Sequence, residues 1–258
     1  MAPLSLAADR QAADPDQETH AKIVPVDAQF AGRAHRAMRK FQIAFLRKDG
    51  TPDWTEQIGP AAPFFEAAFS AFCHGTLITT PRGQIAVQDL DPGMSVSTET
   101  RGPMKVLWIG SMTLVPQALG VDQVACRLTR IMPDAFGLGK PEANLLVGPG
   151  ARILTRPRGH DLGLGRERML VPARDLADGV NVVEIAPPRP VTVYHIALRR
   201  HAVIRAAGIE TESFHPGMGF ERHLGPNLLT LFLSLFPHIE TPADFGTTAV
   251  PRLDLPII

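Results

Sequence analysis

Turn-forming residues interrupt this sequence at short intervals from Gly75 onward. Pro81-Arg82-Gly83, Asp91-Pro92-Gly93 and Arg101-Gly102-Pro103 separate short segments that are apolar or alternate between apolar and polar residues. Proline and glycine supply the backbone angles of tight turns, and short segments between such turns are typical of β-strands. The 22 glycines and 24 prolines among 258 residues also exceed the usual combined share of about 12%, which argues against a helical bundle. The sequence therefore predicts an all-β fold.

The charge balance and the metal-binding residue types narrow the possible functions. Lys and Arg together equal Asp and Glu at 26 each, so no net basic field is available to hold nucleic acid, and we expect no nucleic-acid partner. The histidines lack the spacing of metal ligands and no C-x-x-C pair occurs, so we expect neither a metal nor a cofactor. The two cysteines, Cys73 and Cys126, allow at most one disulfide.

The N-terminal residues lack the basic start of a secretory signal peptide. No apolar stretch reaches the roughly 18 residues that a membrane-spanning helix needs. We therefore expect a cytoplasmic protein, with secretion by a leaderless route left open.

Three motifs occur in a recognisable order. Residues 71–83 read AFCHGTLITTPRG, residues 87–94 read VQDLDPGM and residues 106–110 read VLWIG. A later stretch, residues 193–209, contains VYHIAL and AAGI. Together these segments resemble the opening, middle and closing parts of the Hint module of hedgehog and intein proteins, in its bacterial stand-alone branch. The resemblance implies an all-β horseshoe of curved strands with pseudo-two-fold symmetry and short flanking helices, in which the beginning and the end meet at one site.

In reactive members of that family, an opening thiol or hydroxyl attacks the carbonyl just before it, and a histidine in a later turn protonates the scissile nitrogen. Counting back from Gly75 places the nucleophile position on Ala71. The histidine turn corresponds to residues 148–152, where Ala151 stands in place of the imidazole. Neither alanine can perform the step that the resemblance assigns to its position.

The closing positions also depart from the reactive pattern. An acidic residue in a D-x-H arrangement corresponds to Arg199, although the histidine itself is retained as His201. The terminal His-Asn pair, which cyclises in inteins, corresponds to Glu212 and Ser213. The resemblance therefore implies a module that keeps its framework and has lost self-cleavage and splicing.

One rescue of the chemistry remains open, with Cys73 as thiol nucleophile, His74 or His201 as its base, and cleavage near residues 70–73. On an extended strand Cys73 would point to the same face as Ala71 but lie ~6.5 to 7 Å away. A nucleophile must lie ~2.6 to 3.2 Å from its base, so this displacement argues against the rescue. We interpret Cys73 and Cys126 as buried core residues.

A serine hydrolase is a further alternative because Ser213 and His215 are close in sequence. A spacing of two on an extended chain does not aim one side chain at the other. His195 lies beside Tyr194 on a predicted strand, and we expect a packed or surface imidazole there.

The chain divides into four predicted regions. Residues 1–36 have the composition of a disordered tail, and residues 37–70 form an extension with a strand, a turn and a helix. The helix is predicted to start at Pro63 and to place Phe64, Phe65, Ala68, Phe69 and Phe72 on one face. Residues 71–214 form the Hint-like β domain, which includes a short helix over residues 172–177, and residues 215–258 form a C-terminal tail.

The tail contains an apolar helix over about residues 227–236, with Asn227, Thr230 and Ser234 as a narrow polar stripe. The helix either packs on its own sheet or offers a surface to a protein partner, a second copy or a membrane surface. The residues that would form such a surface are Leu228, Leu231, Phe232 and Leu235. The leading interpretation of the whole sequence is a binding or structural module, with the autoproteolytic domain that uses Cys73 as the alternative.

Overall fold

The computed structural model describes residues 37–99, 101–116, 124–156 and 167–253, and it is built mainly from short strands. The predicted tail over residues 1–36 lies outside the described residues. The strands are β1 (Met38–Leu46), β2 (Pro52–Pro60), β3 (Phe72–Cys73), β4 (Leu77–Thr80), β5 (Gly83–Ala86), β6 (Ser95–Val96), β7 (Met104–Leu114), β8 (Leu128–Ile131), β9 (Leu145–Val147), β10 (Arg152–Thr155), β11 (Met169–Pro172), β12 (Val182–Ile185), β13 (Val191–Leu198), β14 (Val203–Ala206) and β15 (Ile209–Glu212). The α-helices are α1 (Pro63–Ala67) and α2 (Pro226–Ser234).

The strands form two antiparallel sheets. The larger has the order β12-β8-β9-β3-β13-β7-β1-β2, with β6 also paired to β7. The smaller has the order β11-β10-β15-β14-β4-β5. The predicted all-β class with short helices is confirmed by these two sheets. Glycines such as Gly83 and Gly93 adopt a positive φ at the turns between consecutive strands.

Two clusters of buried side chains hold the sheets together. One contains Ala71, Phe72 and Ala151 together with aliphatic residues of both sheets. The other is rich in aromatic residues, with Trp108 among them. The indole Nε1 of Trp108 donates a hydrogen bond to the carbonyl of Leu235 at 2.8 Å, which satisfies the polar atom inside this cluster.

The strand predicted within residues 37–70 is present as β1, and after a turn at Lys48-Asp49-Gly50 the chain returns as β2. Gly50 has a φ of 86°, and the Asp49 carboxylate accepts a hydrogen bond from the Thr51 amide at 2.9 Å. Because β1 also pairs with β7, this hairpin is continuous with the larger sheet.

A buried ion pair holds α1 against β1. The Nε of Arg39 donates to Glu66 at 2.7 Å, and its Nη1 donates to the Thr113 carbonyl at 3.2 Å. Both charged side chains are almost completely buried.

The predicted helical face from Phe64 to Phe72 was wrong at its end. Helix α1 stops at Ala67, and Phe72 lies in β3, where it pairs with Tyr194 and Val147. Helical spacing cannot distinguish a helix from a helix followed by a strand. Here β3 pairs with both β9 and β13, and this pairing takes the chain out of the helix. The short helix predicted at residues 172–177 occurs as a 3₁₀ turn over Ala173–Leu176.

Helix α2 packs on its own chain. Phe232 and Leu235 are completely buried, whereas Leu228 and Leu231 are half-buried. The predicted polar stripe faces solvent. This corrects the expectation that Phe232 and Leu235 could form part of a partner surface, because the aromatic cluster already covers them. Neither this helix nor any other helix of the described ranges has the length and apolar character needed to cross a membrane.

Candidate functional site

The residues before β3 and the turn at residues 148–151 lie in backbone contact. The Gly148 amide donates to the Ala71 carbonyl at 2.9 Å, and the Gly150 amide donates to the Ser70 carbonyl at 3.0 Å. A Cβ on Gly148 would lie 2.1 Å from the Ser70 oxygen, and one on Gly150 would lie 2.2 Å from the Ala67 oxygen. Only glycine allows the two segments to approach this closely.

Ala71 and Ala151, the predicted positions of the nucleophile and of the catalytic histidine, lie at this contact. They are 1% and 2% exposed and belong to the same buried cluster. The carbonyl before Ala71 is that of Ser70, which is held by the Gly150 amide. A polarised carbonyl is therefore present, and methyl groups stand where the two reactive side chains were expected.

Ser70 is a buried hydroxyl that the sequence analysis did not consider. Its Oγ accepts a hydrogen bond from the Gly150 amide at 3.2 Å, and this backbone group is its partner in the described structure. The hydroxyl therefore supports the turn and is not paired with a base.

Cys73 lies beyond this contact. It lies in β3, where it pairs with Val193 of β13, and it packs in the aromatic cluster rather than beside Ala71. It is 4% exposed, and burial raises the pKa of its thiol to about 12. The thiol is therefore protonated at neutral pH, the form that is a poor nucleophile. Cys126 is also buried, and it forms no disulfide among the described residues.

The closing segments reach the same junction through β10 and β15. Ile153 pairs with Thr211, which places Arg152 beside Glu212 and Ala151 beside Ser213 in an antiparallel register. The observed separation of 3.7 Å between Arg152 Nε and Glu212 Oε2 agrees with that register. The Ala71, Ala151 and Glu212 positions therefore border one region of the molecule.

Glu212 is the charged centre of this region and is 2% exposed. Its Oε1 lies 2.7 Å from His201 Nε2 and accepts a hydrogen bond from Arg252 Nε at 2.6 Å. Burial alone would raise the pKa of Glu212, but the charge of Arg252 and the hydrogen bond from His201 outweigh it and hold the pKa at about 2. The carboxylate is therefore ionised at neutral pH.

His201 is oriented by the end of the described chain. The Ala249 amide donates to His201 Nδ1 at 2.7 Å, so the ring proton lies on Nε2 and points to Glu212. Arg252 donates further to the His215 carbonyl. Residues 246–253, here called the C-terminal strap, therefore close over the Glu212 carboxylate.

The strap is also held by backbone pairing at its far end. The Leu170 amide donates to the Pro251 carbonyl, and the Leu253 amide donates to the Leu170 carbonyl, both at 2.9 Å. Arg152 Nη1 donates to the Leu253 carbonyl at 3.1 Å. The strap is thus bound to β11 as well as to Glu212.

Arg199, at the predicted position of an acidic partner for His201, is exposed and takes no part in the hydrogen bonds of that imidazole. The carboxylate that does contact His201 is Glu212. Sequence reasoning missed this pairing and missed Arg252, because neither residue is near His201 in the chain. An isolated arginine between Pro251 and Leu253 was the one available signal.

Two further histidines near the junction, His195 and His215, are buried. His195 Nδ1 lies 3.2 Å from the Ala67 carbonyl, and its ring packs edge-on to Phe214. His215 Nε2 lies 3.1 Å from the Gly246 carbonyl, and its Nδ1 accepts a hydrogen bond from the Gly217 amide at 3.0 Å. Burial lowers the pKa of each to about 4.

The hydrolase alternative is not supported by these contacts. Ser213 Oγ accepts a hydrogen bond from the Ala202 amide at 3.0 Å, and both ring nitrogens of His215 are engaged with backbone groups. The serine hydroxyl and the imidazole therefore form hydrogen bonds with backbone groups rather than with each other. Within the described ranges, His, Cys, Asp and Glu side chains form no group of three that could hold a metal ion.

Comparison with known proteins adds two findings. A model of the Hint domain family matches residues 70–218 of this chain. The solution structure of a bacterial intein-like domain from Clostridium thermocellum is similar to it, with 15% identity, a TM-score of 0.37 and coverage of 56% of this chain and 99% of that one. No curated protein matches the sequence.

Proposed function

The chain belongs to the Hint domain family, and from that premise we propose that its domain has lost self-cleavage and acts as a binding or structural module. In this module the former reaction centre fastens the C-terminal strap to the β domain. The observation that carries the proposal is the buried contact of Arg252 and His201 with the Glu212 carboxylate, at 2.6 and 2.7 Å.

The reactive groups support the loss of self-cleavage. An acyl shift at the Ser70 carbonyl requires a nucleophile at Ala71 and an imidazole near Ala151, and both positions carry a methyl group. Removing one member of such a unit lowers the rate by several powers of ten, because the members act together. The loss of both therefore leaves no route through the usual chemistry of the family.

The strap supports a structural role for the same region. A carboxylate as deeply buried as Glu212 destabilises the fold unless it is paired, and Arg252 supplies the charge that pairs it. Departure of the strap would leave Glu212 with the longer contact to Arg152, at 3.7 Å, in place of the 2.6 Å contact to Arg252. This arrangement suits a permanent closure of the site better than passage of a substrate.

Intact-mass measurement tests the loss of self-cleavage. We expect the purified protein to remain a single species of 28.0 kDa during long incubation with a thiol or with hydroxylamine, which intercept thioesters and esters. Cleavage beside Cys73 would instead leave fragments of about 72 and 186 residues, as a thiol-dependent acyl shift there requires. Their appearance would refute the proposal and favour the autoproteolytic alternative.

A second measurement tests the structural role. We expect limited proteolysis of Arg252→Met to cut first within the strap, because Glu212 no longer holds it. The native protein and Arg205→Met, which removes an exposed ion pair with Glu99, should be cut there much more slowly. Equal resistance of all three proteins would show that the strap does not depend on Arg252.

A further inference from the structure

Among the strands of the described ranges, β2 forms one end of the larger sheet, and its pairing with β1 fixes the direction of its backbone groups. The Arg47 amide donates to the Thr51 carbonyl and the Ala61 amide to the Ala37 carbonyl, both at 2.9 Å. Hydrogen-bonded pairs alternate along antiparallel strands. The odd-numbered residues of β2 therefore bond to β1, and the even-numbered residues direct their N–H and C=O groups outward.

The outward-directed residues with an amide proton are Trp54, Glu56 and Ile58. Pro52 and Pro60 are also even-numbered and end the strand on either side, but they carry no N–H. Trp54 and Ile58 are 73% and 67% exposed, although large apolar residues on an edge strand invite association. The odd-numbered side chains point to the other face of β2, where Gln57 Nε2 donates a hydrogen bond to the carbonyl of Ser234 at the end of α2.

The spacing of these residues has a two-fold pattern centred on Glu56. Pro52 and Pro60 lie four residues on either side of it, and Trp54 and Ile58 lie two residues on either side. We propose that β2 pairs with β2 of a second copy of this chain, antiparallel and centred on Glu56, so that the two larger sheets become continuous.

This pairing gives hydrogen-bond partners to the outward-directed N–H groups of β2. Trp54 of each copy would lie opposite Ile58 of the other, and both pairs would exchange backbone hydrogen bonds, as would the central pair of glutamates. Pro52 of each copy lies opposite Pro60 of the other at the two ends of the pairing, where neither residue has to supply an N–H donor. A shift by two residues would place an apolar side chain opposite Glu56 and leave a proline opposite an outward amide.

Charge is balanced at the centre. Glu56 lies 2.6 Å from Lys40 Nζ and accepts a hydrogen bond from Gln42 Nε2 at 3.1 Å. Each glutamate therefore carries its own counter-ion, Lys40, which offsets the repulsion between the two carboxylates that face each other. Lys40, which pairs with Ile58 in the register, would also lie within reach of the partner's Trp54 ring.

One strand pairing buries less surface than a standard interface, so we expect a weak dimer that dissociates on dilution. Sedimentation of the full-length protein between about 1 µM and about 1 mM, the span of weak association constants, should show a monomer that becomes a dimer. A monomer at every concentration would overturn the proposal.

Substitution at the two-fold position tests the register. Glu56→Lys places four lysines together in a homodimer, and we expect its association to weaken at least tenfold. Mixed with the native chain, the variant should form a heterodimer tighter than the native homodimer, because Lys then faces Glu. The matched control is Glu184→Lys, which changes an ion-paired glutamate in β12 at the other end of the same sheet and should associate like the native chain. Unchanged association of Glu56→Lys would assign the dimer to another surface and overturn the proposal.

Cross-linking and hydrogen exchange provide a readout that does not depend on charge. Glu56→Cys should form a disulfide-linked dimer under mild oxidation, and Glu184→Cys should not. The Glu56 and Ile58 amides of the native chain should exchange rapidly when dilute and slowly when concentrated. Equal protection at both concentrations would mean that this chain covers its own edge, which contradicts the proposal.

Discussion

Arg252 is the residue on which the buried Glu212 carboxylate depends. Its side chain is 8% exposed and bridges the carboxylate to the His215 carbonyl. His201 contributes a hydrogen bond, but its orientation is set by the Ala249 amide of the same strap. The strap therefore supplies the closer of the two arginines beside the carboxylate, since Arg152 Nε of β10 lies 3.7 Å from it.

The Arg252→Met substitution should lower the free energy of unfolding by about 3 kcal/mol, because it removes the closer of the two arginines that pair with a buried carboxylate and leaves Arg152 at 3.7 Å. Urea denaturation followed by fluorescence measures the change. The matched control, Arg205→Met, should lower it by about 1 kcal/mol or less, since that ion pair with Glu99 is exposed. Similar losses for both variants would mean that burial does not strengthen the Arg252 contact.

Cys73 should react slowly with alkylating reagents at pH 8 in the folded protein. Burial raises its pKa to about 12, whereas an unperturbed thiol has a pKa of about 8.5, so the thiolate is scarce. Peptide mass analysis after timed iodoacetamide treatment measures the rate at this residue. In denaturant the same peptide should react orders of magnitude faster. Rapid labelling of the folded protein would indicate an activated thiol and favour the autoproteolytic alternative.

Among the elements, the turn at residues 148–151 and helix α2 both determine how distant segments meet. The turn touches the backbone of Ala67 and Ser70 without intervening side chains. Helix α2 closes the aromatic cluster, in which the rings of Phe232 and Phe236 lie 5.1 Å apart.

The Gly150→Ala substitution should destabilise the protein by about 3 kcal/mol, because the added Cβ would lie 2.2 Å from a backbone oxygen that has no free rotamer. Thermal and urea denaturation measure this loss. Gly102→Ala is the control, since its Cβ would meet nothing within 4 Å and only the left-handed backbone opposes it, at about 1 kcal/mol. A Gly150→Ala variant as stable as this control would show that the turn can move away from Ala67.

Substitutions in α2 distinguish core packing from a partner surface. Leu235→Asp should unfold the protein or cost more than about 4 kcal/mol, because it places a charge in the aromatic cluster. Asn227→Asp, on the exposed stripe, should retain native stability by circular dichroism and urea titration. A stable Leu235→Asp protein with altered oligomeric state would instead make the helix a docking surface.

At the scale of the whole molecule, stability should fall with acid. His195, His215 and His238 have pKa values lowered by burial from 6.5 to about 4. The unfolded chain binds protons as the pH falls below about 6.5, while the folded chain does not until about 4, so this contribution to stability is full above 6.5 and lost between those values. Glu212, held at a pKa of about 2, adds a loss below 4.5 with the same sign.

Urea denaturation at several pH values between 7.5 and 4 should therefore show a free energy of unfolding that decreases steadily below about 6.5. In His195→Phe the slope should be shallower by up to about 1.4 kcal/mol per pH unit, the contribution of one proton. A flat profile would mean that these imidazoles bind protons in the folded state as readily as in the unfolded chain.

The sequence by itself determined the all-β class, because turn chemistry acts over three or four residues and is legible locally. It also determined the family and the methyl groups at Ala71 and Ala151, since residue identity is all those statements require. The helix from Pro63 was predicted too long, because the position of Phe72 depends on pairing with strands far along the chain.

Only the tertiary structure decided what surrounds the former reaction centre. Arg252 lies 40 residues from Glu212 in the chain, and no local pattern connects them. Electrostatic compensation of a buried carboxylate depends on distance in space, which the fold sets when β10, β15 and the strap come together. The tertiary structure also decided which residues of β2 direct their backbone N–H and C=O groups outward. The alternation in the sequence allows either set of residues to do so until the strand is paired with β1.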